Sequence, residues 1–170
     1  MVLGKVTLVI GGAASGKSAH AEQMFAGVDA PVYLATAQAF DDEMRDKIDA
    51  HIARRGARWR TVEAPLDVVG ALDGLGAQDH CLFDCATLWL SNQLLAENDL
   101  AAEQARLVGA VSGCAARLVI VTNEVGMGVV PDTPLGRRFR EAQGRLNIEL
   151  AQVADRVIHV VAGLPRVLKP

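Results

Sequence analysis

The chain has 170 residues, enough for one domain with a substantial core and too few for two ordinary ones. Hydrophobic residues make up 51% and aromatics only 4%, so the core must rest on Val, Leu, Ile and Ala, as in a buried parallel sheet beneath Ala- and Leu-rich helices. The net charge of -3, with both signs scattered, lacks the basic stripe of a nucleic-acid binder, and no apolar run approaches the ~18 residues that span a bilayer.

In chain order, "VTLVI" (6–10) reads as a short strand buried on both faces, and a helix is expected from Lys17 to about Phe25. "PVYLATA" (31–37) is a second strand, and "DDEMRDKIDAHIARR" (41–55) a charged amphipathic helix. "WRTVEA" (59–64) is a third extended piece, and Pro65 opens a helix that ends at the "DGLG" break (73–76). "HCLFDC" (80–85) is a strand, "LWLSNQLLAEN" a helix, residues 101–116 another helix, and "RLVIVTN" (117–123) the next strand. Thr133 and Pro134 have N-cap and N1 chemistry for a long helix through about Val153. "RVIHVVAG" (156–163) closes the chain as its last strand. The alternation predicts one α/β domain over residues 1–170 with a mainly parallel sheet.

Lys5, the apolar "VTLVIGGAA" and "AHA" imitate a secretory signal, but Gly11-Gly12 and Lys17 interrupt the apolar run. The segment is read as mature structure and the protein as cytoplasmic. Three cysteines, an odd count without framework spacing, agree with reduced thiols. On a strand, Cys81 and Cys85 would stand roughly 13 Å apart, too far to share one ion.

The octet "GGAASGKS" (11–18) fits G-x-x-x-x-G-K-[ST] between a strand and a helix. Its backbone amides, from Gly11, Gly12, Ala13, Ala14, Ser15 and Gly16, can curve around phosphate oxygens where a Cβ at the glycines would collide. The following helix turns its positive end toward the same oxygens. Lys17 would reach the outer phosphates and Ser18 would ligate Mg2+. A carboxylate at the end of a neighbouring strand should complete the metal's water shell, and Asp84 is the candidate; its other reading is a cap on the following helix. A nucleoside triphosphate site alone does not separate kinase, switch GTPase and transport ATPase. No N/T-K-x-D base-reading motif and no transport signature is present, which favours a small-molecule transferase.

Around the octet, "YLATA" (33–37), "DDEM" (41–44), "HIARR" (51–55), "WRTVEAP" (59–65) and the long, unusual "VTNEVGMGVVP" (121–131) fall in order. Over essentially its whole length the chain resembles the bifunctional adenosylcobinamide kinase/adenosylcobinamide-phosphate guanylyltransferase family of cobalamin synthesis. The resemblance implies a P-loop, RecA-like sheet with one antiparallel strand, flanking helices and a homotrimer. It also implies two reactions: ATP or GTP phosphorylates the aminopropanol arm of adenosylcobinamide, then GTP gives GMP to a histidine and from there to the new phosphate.

His51 matches the family's modified histidine, whereas its spacing from Met44 and Ile48 also suits a buried structural histidine. A neutral imidazole, of reference pKa about 6.5, is a competent nucleophile at pH 7. By the same resemblance Ala35, Thr36 and Ala37, then Ile52, Ala53, Arg54, Arg55 and Glu63, approach nucleotide. Arg54 and Arg55 would neutralise phosphate charge or simply end a helix; Glu63 could read the guanine N–H donors or stand solvated. Asn123 and Glu124 are expected to face the site, as base or positioner for the substrate hydroxyl. Ala14 departs from the family pattern "GGARSGKS", removing a side chain but not the backbone cradle. The rivals are a kinase with a structural His51 and a slowly turning nucleotide-binding regulatory module.

Overall fold

The computed structural model describes residues 4–38 and 56–170. Its strands are β1 (Val6–Gly11), β2 (Val32–Ala35), β3 (Arg60–Glu63), β4 (His80–Asp84), β5 (Arg117–Asn123), β6 (Arg156–Val161) and β7 (Leu164–Lys169). The helices are α1 (Lys17–Gln23), α2 (Val68–Asp73), α3 (Ala86–Leu95), α4 (Leu100–Gly113) and α5 (Pro134–Val153). The strands form one sheet in the order β3-β2-β4-β5-β1-β6-β7, parallel throughout except for β6 against β7.

The central strands are apolar on consecutive positions because both sheet faces are covered. Val6, Leu8, Cys81, Phe83, Leu118 and Ile120 face one core, which they share with α2 to α5. Val9, Tyr33, Leu82, Val119, Val121, Ile158 and Val160 face the other, against Ala21 and Phe25. Trp59 packs at the rim of that second core, its ring 5.0 Å from Phe25 and edge-on to Tyr33 at 6.0 Å. Side-chain caps start the helices: the Asp67 carboxylate accepts from Gly70 N–H, Asp99 from Ala101 and Ala102, and Thr133 from Gly136.

Two expectations are corrected. Pro65 does not open α2; residues 65 and 66 form a bend whose carbonyls accept from Asn92 and from Trp89 and Gln93, and Asp67 then caps the helix. Nor is 156–163 the last strand. Val161 pairs with Leu164 across Ala162 (φ 51) and Gly163 (φ 77), the two positive φ values that a tight hairpin turn requires, and β7 returns antiparallel. The ammonium of Lys169 at its end donates to the carbonyls of Ala151, Gln152 and Ala154, closing the open end of α5. The expected helix 41–55 lies outside the described residues.

Candidate nucleotide site

Parallel strands bring their C-terminal ends to one edge, where open α/β sheets bind ligands. Gly11 stands opposite Asn123, Ala35 opposite both Asp84 and Glu63, and Asp84 opposite Val121. Residues 11–18 leave β1 at that edge and turn into α1. At Gly11 a Cβ would come within 2.5 Å of Ser15 Oγ and of the Val160 carbonyl, so the position admits only glycine. Gly16 lies at φ 91 and Ala14 at φ 53, conformations that curl the loop tightly. Ala13 and Ala14 are exposed.

Lys17 is buried, and its ammonium donates to the Gly12 carbonyl at 3.1 Å across the loop. Burial pulls its pKa below the ordinary lysine value, opposed by nearby Cys85 and Asp84. The ammonium is thus held across the loop on the Gly12 carbonyl. Ser15 Oγ is buried without a partner inside the same curl. A tight loop closed to a Cβ at Gly11, a buried ammonium and an orphaned hydroxyl fit the oxygens of a phosphate chain.

Asp84 ends β4, but β4 does not neighbour β1 as the sequence reading supposed; β5 lies between them. Tyr33 donates its hydroxyl hydrogen to Asp84 Oδ2 at 3.0 Å. The residue that caps α3 is Cys85, not Asp84: the Cys85 sulfur accepts from Leu88 N–H. Thr36 is fully buried; its hydroxyl bonds both the N–H and the carbonyl of Cys85 at 2.8 Å, so it fastens the ends of β2 and β4 together. Glu63 is exposed at the end of β3, four strand spacings or about 19 Å from β1. His51, Ile52, Ala53, Arg54 and Arg55 lie outside the described residues.

Behind Asn123 a buried polar network went unread in the sequence. Thr122 Oγ1 bonds Asn147 Oδ1 at 2.7 Å, and Gln143 Nε2 donates to both. Thr87 accepts from the Asn123 amide at 2.7 Å, and Asn147 donates to the Asn123 carbonyl at 3.0 Å. Its only local sign is Gln143 and Asn147 four residues apart on the buried face of α5. The loop that follows is fastened as well: the Glu124 amide donates to the Gly11 carbonyl at 3.1 Å, and its carboxylate accepts from Gly126 N–H. Arg137 binds the Pro131 and Asp132 carbonyls, and Arg140 those of Gly126 and Gly128.

A glycine-rich loop between strand and helix, an inward lysine and a strand-end carboxylate on a mostly parallel sheet define a P-loop nucleotide-binding protein. The fold is similar to that of a Pyrococcus horikoshii OT3 protein (TM-score 0.55, 11% identity, 99% of this chain and 88% of that one) and of a type III secretion ATPase from pathogenic bacteria (TM-score 0.54, 10% identity, 97% and 57%). Residues 7–168 match the family described as cobinamide kinase / cobinamide phosphate guanyltransferase. The bifunctional adenosylcobalamin biosynthesis protein CobP of Pseudomonas aeruginosa is 43% identical over 166 residues, covering 95% of this chain and 96% of that protein. CobU of Salmonella typhimurium is 43% identical over 174 residues, covering 92% and 96%. The chain belongs to the cobinamide kinase / cobinamide phosphate guanyltransferase family of enzymes.

Proposed function

We propose that the chain catalyses two successive transfers in cobalamin synthesis: phosphorylation of adenosylcobinamide by ATP or GTP, then guanylylation of the phosphate from GTP. The observation that carries the reading is the family match over residues 7–168, coinciding with a curled octet whose buried lysine donates to the Gly12 carbonyl.

In the first transfer the octet amides and Lys17 hold the triphosphate, with Ser15 available to its oxygens. The hydroxyl oxygen of the aminopropanol arm attacks the γ-phosphorus, the bond to the bridging oxygen breaks, and the nucleoside diphosphate leaves. Its proton passes to a carboxylate on the same edge, for which Glu124, bonded through its amide to Gly11, is the candidate. Ser18 and Asp84, a hydroxyl and a carboxylate, are hard oxygen donors that suit Mg2+ and would hold it. When bound, the ion would neutralise charge on the phosphate oxygens.

In the second transfer an imidazole nitrogen of His51 attacks the α-phosphorus of GTP and pyrophosphate leaves. A phosphate oxygen of the corrinoid then displaces His51, breaking the P–N bond and freeing the imidazole. Arg54 and Arg55 follow His51 within four residues in sequence and would balance the triphosphate charge. Ala35, Thr36 and Ala37 form the floor of the nucleotide site, Thr36 through its clamp on Cys85. Glu63, far along the edge from the octet, suits guanine recognition at a separate nucleotide position. The working assembly is a cytoplasmic homotrimer; among the described residues no helix is long and apolar enough to cross a membrane.

Incubation with Mg2+ and GTP labelled at the α-phosphate tests the scheme. Acid-labile, base-stable label should remain on the wild-type chain and be lost in His51→Ala. Nucleotide binding without retained label would leave a kinase with a structural His51.

A further inference from the structure

Two amides from outside the octet hold its peptide planes. The Gly163 N–H, in the β6–β7 turn, donates to the Ser15 carbonyl at 2.8 Å, and the Glu124 N–H donates to the Gly11 carbonyl at 3.1 Å. In a trans peptide the C=O and the following N–H point in opposite directions, so a donor on the carbonyl fixes where the next amide aims. The Ser15–Gly16 peptide is thereby held with the Gly16 N–H directed away from the hairpin. Backbone packing reinforces it, since a Cβ built on Gly16 lies 3.0 Å from Gly163 Cα.

We propose that the Ala162–Gly163 turn is part of the nucleotide site, the Gly163 amide acting as a positioning group that keeps the Gly16 N–H aimed at the bound triphosphate. The inference rests on the reading of the octet as a triphosphate cradle. Gly163 is at φ 77, and a Cβ added there meets nothing within 4 Å. A side chain at this position would thus disturb the octet only by changing the turn, not by touching the loop.

That separation makes the test selective. Asn tolerates the left-handed region and should keep the amide in place; Val, β-branched, should not. In the full chain, Gly163→Val is expected to raise the Kd for MgGTP and the KM for nucleotide about tenfold, with the KM for cobinamide unchanged; Gly163→Asn should stay within about twofold of wild type. Wild-type affinity in Gly163→Val, or equal weakening in both variants, overturns the inference alone. A wild-type chain that does not bind MgGTP overturns the cradle reading and the inference with it. If Gly163→Val does not fold, hydrogen exchange at the Gly163 amide of the wild type decides. Slower exchange on saturation with MgGTP is expected, and an unchanged rate overturns the role.

Discussion

Tyr33 and Asp84, near the ends of the neighbouring strands β2 and β4, share a hydrogen bond of 3.0 Å in which the phenol donates to the carboxylate Oδ2. A hydrogen bond to a charged acceptor contributes about 1.5–3 kcal/mol, enough to fix the direction of the carboxylate proposed to hold Mg2+. Tyr33→Phe keeps the ring against Trp59 and removes only the donor. The expected outcome is a fall in kcat/KM of about tenfold together with a higher Mg2+ concentration at half-maximal rate. An unchanged Mg2+ titration would show that the phenol does not orient Asp84.

The network behind Asn123 predicts a large stability effect from a small change. Asn147→Leu removes the acceptor used by Thr122 and Gln143 and the donor to the Asn123 carbonyl. Stranding these buried groups should cost about 2–4 kcal/mol, read as a lower urea midpoint. Thr87, exchanged for Val, loses the anchor of the Asn123 amide and should weaken the fold in the same direction.

Alkaline pH should unfold the chain through its thiols. Burial above all, with smaller contributions from nearby acidic groups, raises Cys81 and Cys85 from 9.0 to about 12. Between those values the folded state keeps two protons that the unfolded chain has released. Their contribution is complete below pH 9 and disappears as pH rises toward 12, at about 1.4 kcal/mol per pH unit for each thiol. Urea midpoints should therefore fall steeply above pH 9, and Cys81→Ala should shallow the slope by about half. A flat profile from pH 8 to pH 10.5 would contradict this.

Lys169 predicts a coupling between the last strand and the longest helix. Lys169→Met keeps most of the aliphatic stem but leaves the carbonyls of Ala151, Gln152 and Ala154 without their cation. A loss of about 1–2 kcal/mol follows, seen as a Tm lower by roughly 2–8 °C and faster amide exchange in the last turn of α5.

What could be read in advance depended on whether the deciding contacts were local. The octet is contiguous, so its strand–loop–helix setting was plain. The strand at 117–123 and the helix from Pro134 to Val153 have the expected bounds, because an apolar run and a Thr-Pro start are encoded in neighbouring residues. Pro65 misled because distant side chains from α3, rather than its own φ preference, decide the path there. Strand β7 carries no apolar alternation, being exposed at every residue, and Pro165 argues against a strand by local rules. The Gly163–Ser15 contact spans nearly the whole chain in sequence, and nothing near either residue announces it.

The aromatic arrangement also gives the protein an optical readout. Of its two tryptophans, Trp89 lies fully inside the first core with its indole N–H bonded to Leu66. Trp59 sits at the rim of the opposite core, against Tyr33, one hydrogen bond from Asp84. Emission from Trp89 should be a constant blue-shifted background, while that of Trp59 should follow rearrangement around the carboxylate. A Trp89→Phe chain would then report MgGTP arrival by its own fluorescence, without any attached dye.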